Sequence, residues 1–360
     1  MKSSLLLATL LFVPGAASAQ DLPKSELSIE RLYQYPLVNG RSPSTPRMAH
    51  GGGKIVFGWN QTGERKLDLW VMDYPSGAKR RIVEADKITE FPRQDDTRTQ
   101  LEKDESKLYD GGIGSAQWSP DDRELMFSYK GRLWFVNPDG SNLRPAVDSP
   151  SAIVSPEYSK DGRFIHYTNG QNLFRLDRKS QVQKQITFLS KARTSVSQFD
   201  VSPDGKTIAV VWTDDTKEGK HVMMDFSKER AEVVNISRTW NGDLSVDNQV
   251  GFVSAEGGIV KFAPKLPRYL WIKDVSWSPD GRYLEVAWIK DDFKEFTISM
   301  IRPDDLMKFD AYREKAPETS INDWRWVKFS RDGKRLYVGT DILDGKPAFR
   351  SIISMDVYGR

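Results

Sequence analysis

Serine, aspartate and histidine, the side chains of a hydrolytic triad, are all present, but no stretch of the sequence arranges them for catalysis. A hydrolase nucleophile elbow needs Gly-x-Ser-x-Gly. Ser42 comes closest, with Gly40 before it but Ser44 in place of the second glycine. The chain has no cysteine, which excludes disulfides, thiolate metal sites and cysteine nucleophiles. We therefore predict that this chain is not an enzyme on its own.

The three histidines are the remaining candidates for acid–base chemistry. His166 alternates with apolar residues and His221 opens a similar stretch, so we expect both to be structural. His50 lies in a glycine-flanked turn, where its ring would be exposed. A triad can assemble from residues that are distant in sequence, but no feature of this sequence supports one.

Adjacent pairs of aspartates raise the question of a calcium site. They lack the Asp-x-Asp-x-Asp-Gly alternation of a calcium-binding loop, so we expect them to lie in solvated turns. We predict no metal site and no cofactor. The pairs are Asp95-Asp96, Asp121-Asp122, Asp214-Asp215, Asp291-Asp292 and Asp304-Asp305.

A short turn motif recurs along the chain and organises it. Each copy has an aromatic or apolar residue, then Ser, Pro or a substitute, Asp, Gly or Asp, and a cation, before an alternating apolar segment. Proline presets the turn, the aspartate side chain closes it, and glycine takes the position where a Cβ would clash. The copies begin at Trp118, Tyr158, Val201, Trp277 and Phe329.

Short strands around turns that repeat about every 40 residues are typical of propeller blades. We predict an all-β protein, a β-propeller of four-stranded antiparallel blades. The ring has six or seven blades and is either closed or incomplete. In the long fourth blade, 221–225 is interpreted as the second strand, and 238–262 as either a loop excursion or a degenerate extra blade. Six blades are placed at about 50–86, 112–147, 152–188, 196–263, 270–310 and 322–357.

Tryptophans supply the candidate ligand contacts. Trp324 and Trp326 alternate, so they share one sheet face, either packed or lining the central funnel. Trp240, Asn241 and Asp243 belong to the long fourth blade, in a loop that is either packed or in contact with a ligand.

Outside the blades, the N-terminus is typical of a signal peptide. Residues 1–19 have a positive start, an apolar run too short to span a bilayer, and small residues at Ala17-Ser18-Ala19. We expect cleavage after Ala19 and no membrane span in the mature chain. Residues 20–49 form an entry segment and 50–360 the propeller domain. A charged insertion at 90–110 is either a linker or a functional loop.

Several stretches resemble the N-terminal propeller of bacterial relatives of dipeptidyl peptidase IV, in the prolyl oligopeptidase family. The turn motif alone is shared by many propellers, including those of TolB type. The order of further features is more specific, and the resemblance covers roughly 27–357. The stretches are 28–33, 69–73, 112–120 and 323–326 followed by 329–333.

This resemblance implies a propeller that caps an α/β-hydrolase and admits peptides to it. The family anchors the free amino terminus of a substrate with a Glu-Glu pair just before the blade that begins at Val201. In this sequence 194–199 reads Thr-Ser-Val-Ser-Gln-Phe and has no carboxylate. The dipeptide-releasing specificity is therefore not carried over.

The sequence thus predicts an exported, noncatalytic β-propeller that resembles a substrate-gating and peptide-binding domain. It is truncated, split from its hydrolase, or a free-standing peptide-binding module. Its partner would be a peptide or a protein, with a separately encoded α/β-hydrolase as one candidate. The alternative is a TolB-like periplasmic scaffold for protein interactions. A formal charge of +3 does not indicate a nucleic-acid-binding face, and the location is periplasmic or secreted.

Overall fold

Nearly all regular structure in the computed structural model is β-strand. The structure describes residues 27–89, 107–146, 153–218, 220–226, 229–237, 246–267, 270–290, 292–315, 325–343 and 346–359. A short helix α1 (Ile29–Tyr33) precedes the first strand, and the side chain of Ser28 caps its N-terminus. The strands that follow are grouped into successive antiparallel sheets, the blades of a propeller.

The first three blades are simple four-stranded meanders. Blade 1 has β1 (Ser44–Met48), β2 (Lys54–Trp59), β3 (Asp68–Asp73) and β4 (Lys79–Val83). Blade 2 has β5 (Gln117–Trp118), β6 (Leu125–Tyr129), β7 (Arg132–Val136) and β8 (Arg144–Pro145). Blade 3 has β9 (Val154–Tyr158), β10 (Phe164–Thr168), β11 (Leu173–Asp177) and β12 (Gln183–Gln185). Strand β1, within the predicted entry segment, is the first strand of blade 1.

Blade 4 contains an inserted hairpin. It begins with β13 (Thr194–Val201) and β14 (Thr207–Asp214). The separate two-stranded sheet of β15 (Lys220–Asp225) and β16 (Glu232–Ser237) follows, and β17 (Asp247–Ser254) and β18 (Lys261–Phe262) then complete the blade.

The interpretation of 221–225 as a strand of blade 4 is therefore wrong. Strand β15 pairs with β16, and β17 pairs with β14 along its full length. Both segments have the same period-2 pattern, which shows that a strand forms but not which strand it pairs with. Residues 247–262 are neither a loop excursion nor an extra blade, because they form β17 and β18 of blade 4.

The last two blades follow the same scheme. Blade 5 has β19 (Leu270–Trp277), β20 (Leu284–Lys290), β21 (Glu295–Ile301) and β22 (Lys308–Lys315). Blade 6 has β23 (Val327–Phe329), β24 (Arg335–Leu343) and β25 (Lys346–Asp356), and within the described ranges it has three strands.

The recurring turn is a hydrogen-bonded corner between the first and second strands of blades 2 to 6. In every copy the serine Oγ lies 2.6–2.7 Å from the aspartate Oδ1 two residues later. The same Oγ accepts the backbone N–H five residues later at 2.9–3.0 Å. Four glycines of the motif have a φ near +70°, and Asp122 in the first copy has a φ of 56°. The motif serines are thus structural, because their hydroxyl groups are occupied by the turn.

The hydrophobic core is divided into clusters, each shared by two neighbouring blades. Pairs that represent them in blade order are Val56–Phe127, Phe135–Ile165, Leu173–Val210, Phe252–Trp277 and Ile298–Val338. No cluster within the described residues joins blade 6 to blade 1. The described core thus links six successive blades through five clusters.

Candidate functional site

A cavity of about 290 Å³ lies between the first strands of blades 3, 4 and 5. It contains three carboxylates, those of Glu157, Asp200 and Asp274, and we call it the acidic cavity. The other lining residues are Ser155, Ser197, Gln198, Phe199, Val275 and Ser276. Each of the three strands supplies at least one acidic side chain, so the negative charge is assembled from separate repeats.

Irregular strand register helps to build this cavity. The pairing of β13 with β14 shifts between Val196 and Gln198, and that of β19 with β20 shifts between Ile272 and Asp274. A bulge places two residues opposite one and re-aims the side chains next to it. Ser197, the residue at the shift of β13, is one of the residues that line the cavity, and Asp274, at the end of the shift of β19, is another.

Asp200 is held at the wall of the cavity by a backbone hydrogen bond. Its Oδ2 accepts the N–H of Trp277 at 2.7 Å, and its backbone oxygen accepts the Trp277 indole N–H at 3.0 Å. Burial raises the pKa of Asp200 to about 6, against the lowering effects of the Trp277 N–H and of the Lys160 charge. Asp200 therefore changes charge near neutral pH rather than in acid.

Glu157 faces the open space of the cavity but is surrounded by protein on its other sides. This loss of bulk water, together with the charge of Asp200, raises the pKa of Glu157 to about 7, and the charge of Arg47 acts in the opposite direction. Two carboxylates with raised pKa values in a concave site are typical of a functional site rather than of a surface.

Asp274 and Glu285 are the acidic groups that blade 5 places in and behind the wall of the cavity. Asp274 Oδ2 lies 3.8 Å from Lys328 Nζ of blade 6. Behind the cavity wall, Glu285 is fully buried and its Oε2 accepts the hydroxyl of Ser276 at 3.0 Å. Its Oε1 has no hydrogen-bond partner among the described residues. Burial, with the charge of Asp274, raises the pKa of Glu285 well above its ordinary value.

A second cavity of about 810 Å³ lies between blades 1, 2 and 3 and shares Glu157 with the first. It carries the cations Arg47 and Lys160, and we call it the basic cavity. The other lining residues are Met48, His50, Gln117, Trp118, Pro120, Tyr158 and Ser159. His50 Nδ1 lies 2.9 Å from Asp122 Oδ1, so its ring joins the contact between blades 1 and 2.

The structure describes only one of the five candidate ligand contacts. Trp326 is half-buried and packs against Gly339, where an added Cβ would lie 2.5 Å from the indole Nε1. It lines neither the acidic nor the basic cavity. Trp240, Asn241, Asp243 and Trp324 lie outside the described residues, as do 238–245 as a whole and most of the insertion at 90–110.

The charged cavity residues were missed by the sequence analysis, although a signal for them exists. The residue directly before each turn motif lies in or beside the two cavities. Gln117 lines the basic cavity, Glu157 lines both, and Asp200 and Ser276 line the acidic one. Lys328 lies beside Asp274. Alignment of the repeats would have marked this position.

Successive antiparallel blades around charged central cavities define this protein as a β-propeller. A family model described as the dipeptidyl peptidase IV (DPP IV) N-terminal region matches residues 119–346, and the chain belongs to this family. Within the described residues, no helix is long and apolar enough to cross a membrane.

The relatives found by sequence and by structure agree with this family. The chain is 24% identical over 251 residues to a dipeptidyl-peptidase 5 of Porphyromonas gingivalis, an alignment covering 59% of this chain and 36% of the relative. Dipeptidyl peptidase 4 of Porphyromonas gingivalis has a similar fold, with a TM-score of 0.62, 14% identity, and coverage of 88% of this chain and 45% of the other. A putative dipeptidyl aminopeptidase IV of Bacteroides ovatus has a TM-score of 0.56 at 13% identity, covering 88% and 44%. The chain thus spans less than half the length of each of these relatives.

Proposed function

We propose that this propeller is an exported, noncatalytic peptide-binding domain that serves an α/β-hydrolase of the prolyl oligopeptidase class. The relatives are named as dipeptidyl peptidases, and one is named as a putative dipeptidyl aminopeptidase. The family is represented here by its N-terminal region, and the turn serines are occupied in hydrogen bonds. The hydrolase would be encoded separately or lie on a further part of the protein.

The observation that carries this proposal is the acidic cavity. A peptide amino terminus is an ammonium group with three donors, and Glu157, Asp200 and Asp274 offer carboxylate acceptors from three strands. Entry of a cation would favour the ionised forms of Glu157 and Asp200, which burial otherwise disfavours. The cavity is thus suited to a positively charged group and not to an anion or an apolar one.

Calorimetry with the tripeptide Gly-Pro-Ala and its N-acetylated form tests the proposal. We expect the free amino terminus to bind and acetylation to weaken binding at least tenfold. Glu157→Gln should weaken binding of the free peptide by about tenfold, the size of one charge-assisted hydrogen bond. Glu64→Gln is the matched control, since Glu64 is exposed and remote from the cavity lining. Equal affinity for the free and acetylated peptides would reject this function.

Export and the lack of catalysis have separate tests. The mature protein should be recovered from the periplasm or medium of a bacterial host, with an N-terminal sequence that begins at Gln20. The purified protein should not hydrolyse a Gly-Pro chromogenic substrate. Recovery of an uncleaved chain in the cytoplasm would contradict export, and turnover by the chain alone would contradict the noncatalytic role.

A second candidate function, a TolB-like scaffold for protein interactions, is favoured by the β15–β16 hairpin. Two strands alone are marginally stable in water, and this hairpin exposes apolar side chains, with Phe226 78% and Val222 67% exposed. If Phe226→Ser abolishes assembly with the partner hydrolase while Glu157→Gln has no effect on peptide binding, the scaffold function replaces the peptide-binding one.

A further inference from the structure

The two cations of the basic cavity are not neutralised. Arg47 and Lys160 are exposed, and neither has an ion pair within 4 Å among the residues that the structure describes. By contrast, Arg175 and Arg178 of blade 3 pair with Glu256 and Glu124 at 2.7 and 2.8 Å. Unpaired cations on a concave wall attract an anion more strongly than cations on a convex surface.

The acidic and basic cavities adjoin at Glu157, which lines both. The charge of Arg47 lowers the pKa of Glu157, and the charge of Lys160 lowers the pKa of Asp200. The opposite walls therefore interact electrostatically. They are nevertheless too far apart to form ion pairs. A ligand that spans them would need a positive group at one end and a negative group at the other.

We propose that the basic cavity binds the free carboxylate of a short peptide whose amino terminus occupies the acidic cavity, so that the site selects zwitterionic oligopeptides. This inference rests on the proposed function, since it assigns the second end of the same ligand. An extended chain spans at most about 3.5 Å per residue, so the separation of the two walls sets a preferred peptide length. A long polypeptide, whose carboxylate lies far from its amino terminus, lacks this second contact.

Three forms of one peptide separate this inference from the proposed function. Gly-Pro-Ala with free ends, its C-terminal amide and its N-acetylated form are titrated into the full chain at pH 8 and low salt. We expect the amide to bind about tenfold more weakly than the free acid, because a charge-assisted contact is lost. Binding of the amide within twofold of the free acid would overturn the inference and leave the proposed function intact. Equal binding of the N-acetylated and free forms would instead overturn the proposed function.

Variants of the cations locate the contact. Lys160→Gln and Arg47→Gln should each weaken binding of the free acid more than binding of the amide, because only the acid carries the carboxylate that these cations contact. Lys179→Gln removes the same charge from an exposed turn of blade 3 and should change neither affinity. Equal weakening of acid and amide by Lys160→Gln would contradict carboxylate recognition. All three side chains are exposed, and the comparison of acid with amide requires no variant at all.

Discussion

His166 is a buried histidine whose ring has no polar partner. It is 2% exposed, and both ring nitrogens lack hydrogen bonds among the described residues. Its strand neighbours are Glu157 on β9 and Arg175 on β11. Burial, together with the charge of Arg175, lowers the pKa of His166 to about 4. The ring is therefore neutral in the folded protein at physiological pH.

This histidine should make the protein sensitive to acid. Its folded pKa is below the value of about 6.5 expected when unfolded, so stability is lost as the pH falls from about 6.5 towards 4. His166→Leu should flatten this part of the stability curve, and it breaks no hydrogen bond of the described structure. Urea unfolding between pH 4 and 8 measures the effect, with His221→Leu as control. An unchanged acid slope in His166→Leu would contradict this assignment.

Glu157 should have the opposite pH dependence. Its folded pKa of about 7 is above the ordinary value of 4.5, so its ionisation on raising the pH through that range disfavours the folded state. Glu157→Gln should therefore be more stable than the natural chain at pH 8 and no more stable at pH 4. The same variant should remove most of the gain in peptide affinity between pH 6 and 8. Urea unfolding and calorimetry at these pH values test both effects, and a variant destabilised at pH 8 would contradict them.

At the scale of elements, a buried ion pair joins blades 5 and 6. The side chain of Arg325 is fully buried, and it contacts Glu314 of β22 and lies 2.6 Å from Asp341 of β24. Tyr312 and Thr340 also donate hydrogen bonds to Glu314, at 2.8 and 2.5 Å. The outer strand of one blade is thus tied to the middle strand of the next by a network of charges and hydroxyl groups.

Removal of the cation from this network should be costly. Arg325→Met leaves Glu314 buried without its counter-ion, and we expect a loss of about 3–5 kcal/mol in the free energy of unfolding. A second substitution in the same chain, Glu314→Gln, removes the buried charge that has lost its counter-ion. It should recover part of the lost free energy of unfolding. Arg331→Met, at an exposed position of the last turn motif, is the control. A loss below about 1 kcal/mol for Arg325→Met would show that the pair is not important for stability.

The elements that sequence predicted well are those that local chemistry determines. Each turn-motif corner is specified within about six residues, so the blades and their order could be predicted. The pairing of β15 could not be predicted, because two strands with the same alternation differ only in distant partners. The acidic cavity was missed for a related reason: Glu157, Asp200 and Asp274 lie on three blades and approach one another only in the folded protein.

At the scale of the whole molecule, the blades differ in how many of their faces pack against a described hydrophobic cluster. Blades 2 to 5 have a described hydrophobic cluster on both faces, whereas blade 6 has one on the face towards blade 5 only. In stacked repeats each interface contributes separately to stability. Blade 6 should therefore open more readily than the interior blades.

Hydrogen exchange measures this difference directly. Amides of β24 should exchange at least tenfold faster than those of β20, although both are central strands of their blades. Arg325→Met should accelerate exchange in β24 more than in β10 of blade 3, which lies outside the buried ion pair. Equal protection of the β24 and β20 amides against exchange would contradict the predicted lower stability of blade 6.

The position before each turn motif has a consequence for how such proteins diversify. Gln117, Glu157, Asp200, Ser276 and Lys328 are each set by a single codon of a different repeat. The turn that follows and the clusters between blades are built from other residues. Single substitutions at these five positions therefore change the charge in and beside the two cavities one repeat at a time, without altering the residues that form the turns and the clusters. At Glu157 and Asp200 such a substitution also changes stability, because the raised pKa of Glu157 and the hydrogen bond from Trp277 to Asp200 link these side chains to folding.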